Sequence, residues 1–201
     1  FYTVPFAETF EDDSDTRICW YNINELATDD WTYGTGSGFG TAGNTLIDNA
    51  FEGDLNAVMG SASTTNPSTT KLASPRIDMS GQDSVAIVFA YAQELYSFFG
   101  GDLVNTMRVY KRVGDTLPWV EIAAYSENTP DWTLDTLFVA DSSDQLEIAF
   151  EVDFIGGFPN VVDQVQILPC NVESGIDGGG NVCRLDNTVD LNQFITAGET
   201  Y

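Results

Sequence analysis

The chain has 201 residues, with 31 Asp and Glu against seven Lys and Arg, no histidine, a net charge of −24 and a pI near 4.1. That length suits one β-rich domain, and 43% hydrophobic with 12% aromatic residues is enough to fill its core. The charge excludes a nucleic-acid backbone or an anionic membrane as partner, and the missing histidine removes Ser-His-Asp and Cys-His triads and nearly all catalytic zinc sites. Oxygen-rich side chains do suit hard cations such as calcium, although an acidic surface also simply keeps an exported protein in solution.

In chain order, Phe1–Glu11 reads as an extended start with Pro5 tolerable at an edge, broken by the acidic run Glu11–Asp15. Arg17–Ile23 reads as a short aromatic strand, and Thr32–Gly43, rich in Gly, Thr and Ser, as loop. Leu55–Met59 is a short apolar strand. The organising stretch is Lys71–Tyr91: an incoming strand, a turn at Pro75 to Gly81, and a long strand apolar on both faces. Val85, Ile87, Phe89 and Tyr91 share one parity and Ala86, Val88 and Ala90 the other, so this strand belongs in the middle of a sheet.

Further strands follow over Leu103–Val113, Trp119–Tyr125 and Trp132–Val139. Leu146–Phe154 alternates with Leu146, Ile148, Phe150, Val152 and Phe154 inward and Glu147, Glu151 and Asp153 outward; Val161–Leu168 alternates again. Short strands joined by Gly, Pro, Asn and Asp turns, with no helical period, predict an all-β antiparallel sandwich or jelly roll over residues 1–168. Residues 169–201 read as a Gly-rich loop followed by an extra edge strand or tail.

Cys170 and Cys183 flank that loop and can close it as a disulfide worth about 3 kcal/mol in an oxidising compartment, leaving Cys19 over; three unpaired thiols are the alternative. No apolar run approaches the roughly 20 residues of a membrane span. The sequence opens on Phe1 rather than Met, as a mature or excised segment of an exported precursor would.

The ordered set of segments resembles the jelly-roll family of cleaved-adhesin, MAM-like and choice-of-anchor J domains of bacterial surface and secreted proteins. The matching pieces are PFAETFE at Pro5–Glu11, Trp31 before a Gly-rich loop, LASPRIDMS at Leu72–Ser80, and Phe89-Ala90-Tyr91. Next come MRVY at Met107–Tyr110 with Trp119, IAF at Ile148–Phe150, and VDQV at Val162–Val165. The resemblance implies that the first and last strands lie together and share a structural calcium. By position, Glu8, Glu11 and Asp163 would be its carboxylate ligands, with groups near Asp48–Asn56 completing the shell. It also places Trp31 and Trp119 in the core.

The acidic runs Asp12–Asp15 and Asp177–Asn181 offer oxygens too, without the spacing of an EF-hand. Tyr96, Phe98 and Phe99, in a loop before Gly100, are the best candidates for an exposed aromatic contact surface. No pair of carboxylates stands out as catalytic, and domains of this family usually accompany catalysis rather than perform it. The expectation is a non-catalytic, calcium-stabilised module at the cell surface or secreted, binding glycans or surface proteins. The alternative is a fibre subunit that exchanges strands through the chain ends Phe1–Phe10 and Asn187–Tyr201.

Overall fold

A computed structural model describes residues 1–38, 47–60, 67–98, 101–114, 116–140, 145–173 and 182–185, and among these every regular element but one 3-10 turn is a strand. The first half gives β1 (Tyr2–Thr3), β2 (Phe6–Glu8), β3 (Tyr21–Leu26), β4 (Thr32–Gly34), β5 (Asn56–Met59), β6 (Ser68–Ala73), β7 (Ile77–Asp78) and β8 (Ser84–Gln93). The second half gives β9 (Tyr96–Phe98), β10 (Gly101–Leu103), β11 (Thr106–Val113), β12 (Val120–Tyr125), β13 (Thr129–Val139), β14 (Leu146–Phe154), β15 (Asn160–Glu173) and β16 (Val182–Leu185).

Two sheets face each other as a jelly-roll sandwich. In the first, β14 lies between β11 and the pair β6 and β7; β12 flanks β11, while β3 and β1 flank β6 and β7. In the second, β15 lies between β8 and three strands strung end to end along its other edge. Those three are β5 opposite residues 160–162, β2 opposite 165–167 and β16 opposite 170–173. Of the described pairings only β1 with β7 is parallel.

The chain crosses from one sheet to the other between β6 and β8, so the organising stretch contributes a strand to each. As expected, β8 is interior, flanked by β15 and β13. Val85, Ile87, Phe89 and Tyr91 point into the core, and Ala86 and Ala90 on the outer face are also fully buried. Phe150 of β14 meets Phe89 edge-on at 5.0 Å and stacks on Trp20 at 6.5 Å. Burying a side chain of this size contributes about 1.5–3 kcal/mol.

Several boundaries differ from the sequence reading. Residues Arg17–Cys19 form a 3-10 turn rather than the start of a strand, because Arg17 donates from Nη1 to the Phe10 carbonyl and from Nη2 to Asp12. Thr32–Gly34 is a strand, not loop, since β5 supplies its backbone partners. The last long strand does not stop at Leu168. It continues through Pro169, where the partner along that edge changes from β2 to β16 and a missing N–H breaks no continuous ladder. The start of the chain, offered above for strand exchange, is itself built into the sheets. β1 joins one sheet and β2 the other, with Phe6 and Phe10 buried in the core.

Candidate functional site

Along the edge of β15, β5 ends and β2 begins on either side of Asp163 and Gln164. A register shift falls at the same place, and Gln164 sits at φ 50°, in the left-handed region. The gap is filled by the 51–55 turn and by Glu11. Asp163 is fully buried; its Oδ2 accepts from the N–H groups of Phe51 (2.9 Å) and Glu52 (3.1 Å), and its Oδ1 from that of Gln164 (2.7 Å). Glu11 Oε1 accepts from the N–H groups of Asp54 (2.8 Å) and Leu55 (2.9 Å).

The electrostatics of this junction are strained. Burial pushes the Asp163 carboxyl up to about 7 from an ordinary 3.8; its backbone hydrogen bonds pull the other way, and the Glu11 charge adds to the rise. Glu52 is raised as well, by burial and then by Glu11, and its Oε2 is buried without a hydrogen-bond partner. None of the ion pairs among the described residues involves Glu11, Glu52 or Asp163.

Glu8 is placed differently from the other two expected ligands. It is buried, but its oxygens accept from Phe10 N (2.7 Å), Ser14 Oγ (2.7 Å) and Thr16 Oγ1 (2.5 Å), so it pins the 10–16 turn. Phe10 is held at φ 58° within that turn. The structure thus joins Glu11 to Asp163 through the 51–55 turn and turns Glu8 toward its own loop. Asp12 is used in the ion pair with Arg17, and Asp177–Asn181 lies outside the described residues.

Among the described residues no group of three or more Asp, Glu or Cys is gathered into a ready-made metal cluster. The oxygens that the Glu11–Glu52–Asp163 junction leaves without a hydrogen bond are few. A carboxylate offers about four acceptor positions, and three N–H bonds leave Asp163 one, while Glu52 Oε2 has no partner at all.

Tyr96 and Phe98 lie on β9, which pairs with β10 and, among the described residues, with neither main sheet. Tyr96 is 37% exposed and packs edge-on against Phe158 at 5.1 Å. Phe99 and the Phe98 side chain lie outside the described residues. Cys170 is disulfide-bonded and Cys19 is a free, exposed thiol; the Cys183 side chain lies outside the described residues, although its backbone stands opposite Val172 in the β15–β16 ladder.

The fold has counterparts of known structure. A cleaved adhesin domain of Lys-gingipain from Porphyromonas gingivalis superposes with a TM-score of 0.56 at 15% identity, over 83% of this chain and 98% of that one. A second cleaved adhesin domain of the same gingipain gives 0.54 at 15% identity, over 81% and 96%. The CBM22-1–GH10 modules of Clostridium thermocellum xylanase 10B give 0.50 at 11% identity, over 84% of this chain and 29% of that one. This is likeness of fold. No protein-family model matches the sequence, and no curated protein does.

Two features escaped the sequence reading. Trp31 is a core residue as expected, donating from Nε1 to the Thr70 carbonyl. Trp119 is not: it lies half-buried on the outer face of the first sheet with the Arg112 guanidinium 4.4 Å from its ring centre. Glu147 and Glu151 do point outward, yet both are buried beneath neighbouring side chains. Alternation gives the face of a strand residue but not what lies over it.

Proposed function

We propose that this protein is a non-catalytic extracellular adhesion or carbohydrate-binding module, steadied by calcium where the first and last strands meet. The observation that carries the reading is the β9–β10 hairpin, which stands apart from both sheets and leaves the Tyr96 ring partly open at one end of the sandwich. An aromatic surface held on a loop beyond the core is suited to contact rather than to stability. The clostridial chain of CBM22-1 and GH10 modules, 29% of which shares this fold, was solved with xylohexaose, which supports a saccharide as the ligand class.

Calcium, when bound, supplies positive charge to a junction whose three carboxylates otherwise repel one another. Glu11 and Glu52 would hold it, with Asp163 giving its remaining lone pair. Cys183 as the disulfide partner of Cys170 suits an oxidising, extracellular setting. The test is a glycan array followed by titration calorimetry, on the wild type and Tyr96→Ala, with calcium or with a chelator. Selective saccharide binding weakened by Tyr96→Ala, together with a higher melting temperature in calcium, is expected. Absence of binding to any glycan or cell-surface preparation would remove the reading.

A further inference from the structure

The outer face of the first sheet carries a network of charge, much of it buried. Arg112 donates from Nε and Nη2 to Glu147 Oε2 at 3.1 and 2.7 Å, and Tyr21 donates to Glu147 Oε1 at 2.7 Å. One strand over, Lys71 Nζ is clamped between Glu25, at 2.6 Å, and Glu151, and lies over the Tyr110 ring at 4.4 Å. Tyr110 donates to Glu151 Oε1 at 2.9 Å. Arg108 then joins Glu151, Asp153 and Glu121.

Glu147 is 2% exposed, while Glu151 and Lys71 are 3% exposed. The outer face of an antiparallel sheet is ordinarily polar and solvated. Taking carboxylates and an ammonium out of water there is a desolvation penalty that pairing roughly cancels at best. What the network does supply is rigidity. Carboxylate, guanidinium and phenol groups are held at fixed positions across β3, β6, β14, β11 and β12. Beside them, the half-buried Trp119 ring rests on Arg112 and Tyr21 is 39% exposed.

We propose that this face binds a neutral oligosaccharide, lying across the strands with a sugar ring against Trp119. The inference rests on the module reading above and names a site and ligand class for it. Three cations face five carboxylates here, a surplus of two negative charges, which disfavours uronates, sulfated glycans and phosphates. Sugar hydroxyls both donate and accept, so adjacent hydroxyls can engage the Arg108–Glu121 pair, whose side chains are 26% and 48% exposed, without breaking it. The apolar face of a pyranose suits the open side of an indole.

The test is titration of the whole protein with cellohexaose, mannohexaose and hexagalacturonate, using wild type, Trp119→Ala, Tyr21→Phe and Tyr96→Ala, with melting curves as a folding control. A neutral hexasaccharide should bind and weaken at least tenfold in Trp119→Ala with little change in melting; Tyr21→Phe should weaken it several-fold and also lower the melt, because the buried Glu147 loses a donor, and Tyr96→Ala should weaken it less than Trp119→Ala does. Binding lost in Tyr96→Ala but intact in Trp119→Ala and Tyr21→Phe overturns this face and leaves the module reading standing. Tighter binding of hexagalacturonate than of either neutral sugar also overturns it. If neither these sugars nor any glycan on an array bind the wild type, both this face and the carbohydrate reading fall.

Discussion

Asp163 gives the sharpest prediction. Its carboxyl is raised from 3.8 to about 7 by burial, with Glu11 contributing, while the unfolded chain has an ordinary Asp. Below about pH 4 both states hold the proton. Between there and about pH 7 the folded state keeps a proton that the unfolded state has lost, so stability falls as pH rises. Above about pH 7 both states are ionised and the loss is complete. At 1.36 kcal/mol per pH unit the ceiling is about 4 kcal/mol. For a domain of this size that is a fall in melting temperature of roughly 10 °C. Glu52 is raised too and adds to the fall in the same direction.

The assay is thermal melting in chelator from pH 4.5 to 8, on the wild type and Asp163→Asn. Other acids titrate in both proteins and cancel in the comparison. The variant should lose most of the fall, although it begins less stable because an amide cannot accept all three N–H bonds. Calcium should restore the wild type most at pH 8, where the three carboxylates are ionised. An equally steep fall in Asp163→Asn would refute the assignment of the strain to this carboxyl.

Other perturbations test the rest of the frame. Gly53 sits at φ 71°, and a Cβ there would run into the Glu11 carboxyl, whose Cδ lies 2.8 Å away. Gly53→Ala should therefore cost about 2–4 kcal/mol in urea melts and blunt the calcium shift; an unaltered melt would contradict the position of Glu11. Phe150→Ala should lose about 3–5 kcal/mol or unfold outright, since Phe89 and Trp20 both pack on that ring. Cys170→Ser should cost about 3 kcal/mol, and Cys19→Ser less than about 0.5 kcal/mol. Peptide mapping of the oxidised protein should recover Cys170 joined to Cys183, and recovery of Cys19 in the bridge instead would exclude that pairing.

The core was legible because its signal is local. The two-sided apolar run of β8 marks a central strand and the alternation of β14 marks which of its residues face the core, and both hold. Elements that depend on a distant partner were harder to see. Thr32–Gly34 is only three residues at the head of a Gly-rich run, too short to show a pattern, and is extended because β5 lies beside it. Pro169 looks like a terminator, yet it falls where the neighbouring strand changes, and there a missing donor is tolerated.

The candidate site divides along the same line. Glu11 and Asp163 came from the family resemblance, which puts the first and last strands side by side, and the 51–55 turn does join these two acids. Which oxygen faces which group was not legible in the sequence. Glu8 lies three residues from Glu11 on the same extended start, but Ser14 and Thr16 come back in the next turn to take its carboxylate. Glu52 has no pattern around it; it matters because its turn is drawn over Asp163 by two backbone N–H groups. The face of the first sheet shows the converse. Glu147, Glu151 and Asp153 read as ordinary solvated acids until β6 and β11 bring Lys71, Arg108 and Arg112 onto them. In a chain of net charge −24, three of the seven cations are spent on one face. That concentration, rather than any single residue, makes the face the place to look for a ligand.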